Sequence, residues 1–461
     1  MLKSFLAFIS IGSHACQKID LFVKLAGMNT DHCAKEKKDA QLMEMEKTKA
    51  INQTLGEDAI LEKSNQEILP YLIQARTKMI KAVGGTEKWK SLSSGEQADY
   101  EADMMNNLLV ELGKDSFEKL TSEEKRILKL FIWTGCGCHK DLNSVKGGNQ
   151  AMMNWWKEND IPGPVLLANR DNKATLEKYE SDSELTAAQE RALEMTACGG
   201  VKATKLAGDI LNNKDDKKGY HDDFRWWWSM RAQEDFTFPD TSNTCFGSHC
   251  DAAIELILQL PHFIEFMKYI KAKKINNQFS NMEQNFWMAL HCNATITELV
   301  VLALYAQAIS HPYMQYIRSK KKINMLDLGP LHRKVHKHMK KIIKKPELLI
   351  GPNATGETDS LNSNEWSRSE LFDTIQKLLP DLPYLKDLLV VFFKGAAKTW
   401  KRFTSEFAPG GLIDEATTEE REAAWMPPTN DANEGALGAY HVAMRRQPWL
   451  SEDQFNAWYM V

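Results

Sequence analysis

The sequence predicts a mainly α protein with a small α/β part. Three observations lead there. Helical periodicity runs from about residue 41 to 129 and resumes from about 150 to 410. Only two apolar runs, residues 19–26 (IDLFVKLA) and 130–134 (LFIWT), have the length and composition of buried strands. Near the C-terminus, Pro427 and Pro428 block any helix before them and Thr429, Asn430 and Asp431 offer capping side chains, so a last helix begins near Asp431.

Size and composition exclude several classes. A chain of 461 residues is long enough for two or three units with a sizeable core. With 43% hydrophobic and 26% charged residues, its composition is neither that of a disordered chain nor that of a membrane protein. No run reads as long enough to span a bilayer. The net charge of −4 exerts no global pull on nucleic acid, so any such pull has to be local. Eight cysteines scattered through a long chain indicate a reducing compartment, which points to an intracellular protein, nuclear or cytoplasmic. Residues 1–15 imitate a short signal peptide, but the apolar run is at the short limit and no disulfide-dense domain follows, which argues against secretion.

Taken in order, the first strand candidate ends in a turn over residues 27–31. That turn leaves Asp31 at the edge of a sheet, where the carboxylates of α/β sites tend to sit; a helix N-cap is the plainer reading of the same residue. Residues 41–129 read as helices broken at Pro70 and near Gly84-Gly85. The second strand candidate leads into residues 135–143 (GCGCHKDLN), a turn at a sheet edge that aims His139 and Asn143 at one place. Cys136, Cys138 and His139 lack the spacing and the downstream partner pair of a structural zinc site. Lys146, beside Gly147-Gly148, is a candidate phosphate contact through its ammonium group and open backbone amides, with a simple Gly-Gly turn as the alternative. Residues 161–164 (IPGP) then lead into the second helical block. There Trp226-Trp227-Trp228 reads as core packing, and Ser280 with Glu283 forms a capping box.

The one concentrated basic region spans residues 318–345, with eleven Lys/Arg and three His in 28 positions of an otherwise mildly acidic chain. A solvated helix face is the ordinary reading of such a run. Its density makes Arg333, Lys334, Lys337, Lys340, Lys341 and Lys344 candidate nucleic-acid contacts. In the last helix Glu434 falls in the first turn, and two readings stand side by side. One is a capping box shared with Asp431. The other is a metal-binding carboxylate on a helix lying over a sheet edge. Gly435 and Gly438 cost helix stability and let another backbone or a nucleic-acid strand approach, while His441 lies two turns on. Arg445 and Arg446 add phosphate-seeking charge at the far end.

The order of these pieces resembles the DDE transposases with a ribonuclease-H-like core, and is similar to their hAT-like branch. Cys136, His139, Leu142 and Asn143 fall on a cysteine–histidine–leucine–asparagine segment of that family, and residues 240–244 (DTSNT) look like a weakened form of its Asp-Thr-Arg-Trp-Asn segment. The chain also looks like fungal transposon-derived proteins that carry a CHKDLN…KGG block and an NDxNEGALG block. The resemblance implies an incomplete ribonuclease-H-like core split by a large helical insertion. Residues 1–149 would be the N-terminal part of that core with a helical connection, residues 150–410 the all-helical insertion, and residues 411–461 the C-terminal helix of the core carrying Glu434. It implies further that Asp31 and Glu434, with a third carboxylate in full-length relatives, hold Mg²⁺ (or Mn²⁺) for phosphodiester cleavage and strand transfer. His139 would contact the DNA strand near the cut. The family's first catalytic aspartate lies tens of residues upstream of the second, and only 30 residues precede Asp31, so the core reads as truncated and cleavage as impaired. The expectation is a transposase-derived DNA-binding protein. Its rivals are a DNA-binding remnant without chemistry and a non-catalytic helical interaction scaffold. DNA is the expected partner, no membrane is, and a homo-oligomer is compatible with the sequence.

Overall fold

The computed structural model describes residues 18–178, 185–215, 219–232, 235–241, 247–319 and 322–459. They fall into two compact units, the first made of residues 1–136, 322–327 and 406–461 and the second of residues 137–321 and 328–405. Helix dominates both, as the sequence predicts. The strands among the described residues are β1 (Gly27–Thr30) and β2 (Ile132–Gly135), both in the first unit.

These two strands pair in parallel, with Gly27 opposite Ile132 and Thr30 opposite Gly135. Parallel neighbours need a crossover, and here it is a run of helices: Ala34–Leu61, Asn65–Val83, Thr86–Ser91, Ser94–Lys119 and Ser122–Lys129. Capping boxes at Ser64/Glu67, Ser93/Glu96 and Thr121/Glu124 start three of them. The helices Ala34–Leu61 and Ser94–Lys119 approach so closely that a Cβ at Gly113 would stand 1.6 Å from the Asn52 carbonyl oxygen. Phe22, Met43, Ala50 and Phe131 form a core beside the strands.

Several expectations are corrected. Residues 19–26 are not a strand, because Lys18–Lys24 is a helix; the strand is the Gly27–Thr30 segment read as a turn. Short apolar runs fit either period, and here Ile19, Phe22 and Val23 sit at helical spacing on one core-facing side. Asp31 keeps its place just beyond a strand end. The second strand starts two residues later than expected and ends one residue later. Pro70 does not break its helix but lies inside Asn65–Val83, and the break comes before Ser64 instead. Residues 135–143 are not a turn: the helix Gly137–Glu158 starts at once and carries Lys146, Gly147 and Gly148 in its interior.

In the second unit the helix Gly137–Glu158 lies along Leu385–Phe403. The glycines make that crossing close, since a Cβ at Gly147 would meet Thr399 Oγ1 at 2.0 Å and one at Gly148 would meet the Phe392 ring at 2.5 Å. The core runs along Asn293–Tyr305, a π turn at Ala306–Ser310, and His311–Ile317. By length and composition Asn293–Ile317 could cross a membrane, which corrects the expectation that no run is long enough, and 89% of its apolar window is buried inside the protein. At the π turn Asp141 is wholly buried and accepts from Tyr305 Oη (2.8 Å) and Ser310 Oγ. Trp227 and Trp228 pack in the core as expected, whereas Trp226 is exposed. Ser280 and Glu283 form the expected capping box. Between residues 150 and 410 the described residues hold no strand, only a bridge between Leu166 and Cys198. Residues 242–244 of the weakened Asp-Thr motif lie outside the described residues.

Candidate metal centre

The end of the parallel pair is tied down by groups from distant parts of the first unit. Trp133 Nε1 donates to Thr30 Oγ1 (2.9 Å), and Asn29 Nδ2 donates to the Pro427 carbonyl (2.7 Å). Thr134 Oγ1 donates to Met426 Sδ (3.1 Å), and the Asn430 amide donates to Cys136 Sγ (3.3 Å). Met426 is held in turn through its carbonyl by the Met325 amide (2.8 Å). The segment that precedes residue 431 is thereby laid along the strands. Pro427 and Pro428 keep it extended, and the helix Asp431–Arg446 starts where the sequence predicts.

This arrangement brings Asp31 and Glu434 together. Their nearest carboxylate oxygens lie within 4.8 Å although the residues are 403 positions apart (434 − 31), and both side chains are half-buried. The capping box between Asp431 and Glu434 is not formed: Asn430 is the N-cap, without a side-chain cap bond, and Asp431 is the first helical residue. The surroundings are acidic. Glu36 has its carboxyl raised by burial first and then by the charges of Asp39 and Asp31, so negative potential accumulates at this strand end.

His32 and Glu406 belong to the same neighbourhood and were missed in the sequence. Glu406 Oε1 accepts from the Gly135 amide (3.3 Å) and lies 3.4 Å from His32 Nε2. A Cβ at Gly135 would fall 1.8 Å from His32 Cε1, so glycine is required where the imidazole lies against the strand. The only signal was adjacency, His32 next to Asp31. Nothing in the sequence announces Glu406, 374 positions away (406 − 32).

The other predicted residues are distributed as follows. His139 is the third residue of the helix Gly137–Glu158, in the second unit, and is half-buried. Asn143 does not share its aim, since Asn143 Nδ2 donates back to the His139 carbonyl (2.7 Å). Lys146 is exposed, but the amides beside it are closed into the helix, which removes the open phosphate nest. Arg333, Lys334, Lys337, Lys340, Lys341 and Lys344 are all exposed on the helix Gly329–Lys344, while His332, Val335, Met339 and Ile342 fix its opposite face in the core. The histidines add no charge to that face. His332 is buried, and burial lowers the imidazoles of His336 and His338, the latter bonded to the Asp359 carbonyl (2.8 Å). Arg445 and Arg446 are exposed in the last turn of the helix that carries Glu434. No family model matches this chain, and no curated protein or solved structure does either.

Proposed function

We propose that this is a transposase-like DNA-binding protein in which Asp31 and Glu434 hold a divalent cation, Mg²⁺ or Mn²⁺. The observation that carries the reading is the approach of two carboxylates, one at a strand end and one in the first turn of a helix, from positions 403 apart (434 − 31). An aspartate just past the end of a parallel strand and a glutamate in the first turn of a later helix are what the resemblance to a ribonuclease-H-like core implies. Asp31 and Glu434 would each offer one carboxylate oxygen to the ion. When bound, such an ion polarises a phosphodiester and lowers the pKa of its water.

The pair by itself anchors one cation. In-line displacement with two ions needs further ligands, so the expected behaviour is DNA binding without robust cleavage. The family resemblance assigns His139 a contact with the DNA strand rather than with the ion. The lysines and Arg333 of the helix Gly329–Lys344 supply the affinity for phosphates, and Arg445 and Arg446 add to it.

The test is Mn²⁺ binding followed by electron paramagnetic resonance. Asp31→Asn and Glu434→Gln should each weaken binding at least tenfold. Unchanged Mn²⁺ affinity in both variants would end the metal reading. Robust Mg²⁺-dependent DNA cleavage that is lost in Glu434→Gln would instead show a complete catalytic site.

The helical interaction scaffold keeps one observation in its favour. The helix Asp431–Arg446 buries none of its residues, and Leu437, Val442, Trp449 and Trp458 are exposed in this C-terminal region. Absence of both Mn²⁺ binding and salt-dependent DNA binding would favour that reading.

A further inference from the structure

A second constellation, entirely within the second unit, plays no part in the proposed function. The loop of residues 161–164, the end of the helix Gly137–Glu158, the start of Gly199–Leu211 and the middle of Asn293–Tyr305 line a cavity of about 390 Å³ that is open to solvent. That volume suits a small ligand. Trp156, Pro162 and Pro164 contribute apolar wall. Lys157 and Asp160 line it with opposite charges and are exposed to solvent, so they favour neither sign of ligand.

Glu298 is the one ionisable group of the lining that is wholly buried. Its Oε1 accepts from Trp156 Nε1 (2.9 Å) and its Oε2 from the Gly200 amide (2.8 Å). Among the described residues no Lys, Arg or His comes within ion-pair distance of it, and burial pushes its carboxyl up to about 7. The backbone is shaped around it. Gly199 has φ +82°, and a Cβ there would stand 2.1 Å from Oε2. Capping the helix Gly199–Leu211 accounts for one of the two oxygens, but a serine or asparagine caps a helix without burying a charge. The cap does not account for the cavity.

The chemistry that complements this arrangement is a cation. A buried carboxylate without a counter-ion repels anions, gains little from neutral molecules and is stabilised by an ammonium group that displaces no protein partner. The Trp156 indole, edge-on to Trp155 and Tyr384 at centroid distances of 5.1 and 5.7 Å, gives the wall an aromatic ring able to meet a cation or an apolar body. We propose that this cavity binds a small organic cation, an ammonium carried on an apolar or aromatic body, with Glu298 as counter-ion and Trp156 as the aromatic wall.

The test uses the full chain with phenethylammonium as probe and 2-phenylethanol as its neutral counterpart, measured by calorimetry. Phenethylammonium should bind about tenfold more tightly at pH 8 than at pH 6, because Glu298 ionises near 7 and only the ionised form offers the counter-charge. Glu298→Gln should lower affinity at least tenfold and abolish the pH dependence. A variant that fails to fold leaves a second measurement on the unaltered chain. Cys198 also lines the cavity, so phenethylammonium should slow its alkylation by N-ethylmaleimide, followed by peptide mass spectrometry, and leave the exposed Cys33 unaffected. Equal affinity for the alcohol, undiminished binding to Glu298→Gln, or no protection of Cys198 would each overturn the proposal.

Discussion

Glu298 and Trp156 share a hydrogen bond deep in the second unit, and with no cation beside it the carboxyl makes stability depend on pH. The folded-state value is raised from 4.5 to about 7, so the folded chain holds the proton that the unfolded chain has released. The contribution is full below 4.5 and is lost as pH rises through 7. Between pH 5 and 8 wild type should lose about 2–3 kcal/mol relative to Glu298→Gln, measured by urea unfolding at both pH values. An unchanged difference would mean that the carboxyl is solvated. At this scale the sequence was partly legible. Glu434 was marked by a helix start after two prolines, a local signal, whereas Asp31 was marked by a turn placed after a strand that is in fact the helix Lys18–Lys24. Glu298 was not, because its burial depends on helices from three parts of the chain, and a glutamate within ITELVVLALY carries no mark of what covers it.

The glycines show how an element's surroundings reverse the effect of one substitution. Gly148 is packed on Phe392 within the close helix crossing, so Gly148→Ala should destabilise by about 1–3 kcal/mol through overpacking. Gly435 and Gly438 lie in a helix too, but a Cβ at either meets nothing within 4 Å. Alanine there should stabilise by about 0.5–1 kcal/mol each through helix propensity alone. Thermal unfolding of the single variants checks both signs, and destabilisation at Gly435 or Gly438 would mean that another surface covers that helix. Helices were the legible elements, because caps and periodicity are local. The second strand was placed slightly early and the first on a segment that is a helix, since IDLFVKLA satisfies either period and its packing against Met43 and Phe131 decides the matter. The Lys146-Gly147-Gly148 turn failed for a related reason: two glycines that punctuate an isolated segment become an asset when a second helix needs room.

For the whole molecule, mild net acidity and a local basic face act separately. Replacing Lys337, Lys340, Lys341 and Lys344 with glutamine should weaken DNA binding across all sequences. It should also flatten the dependence of log K on log salt by about 0.9 for each phosphate that is no longer neutralised, read by fluorescence anisotropy at several salt concentrations. Glu434→Gln should leave that binding nearly unchanged. Binding that ignores the four lysines would remove this face from the reading. The mainly α class was legible from composition and period. The assembly of the first unit from three separated stretches was not, because pairings such as Arg126 with Glu420 carry no local signature.

That discontinuity has a consequence for the order in which the chain acquires structure. Joining Thr30 to Gly135 closes a span of 105 residues (135 − 30), and joining Asp31 to Glu434 closes one of 403 (434 − 31). The extra entropy is only about 1.2 kcal/mol, two doublings of loop length. Synthesis imposes the stronger constraint: every residue of the second unit has been made by position 405, whereas the first unit still awaits residues 406–461. The amide of Cys136, bonded to the Thr30 carbonyl, should therefore gain protection from hydrogen exchange on the nascent chain later than the amides of Asn293–Tyr305. The two carboxylates would then meet last, so that the proposed cation site is completed only in a finished molecule.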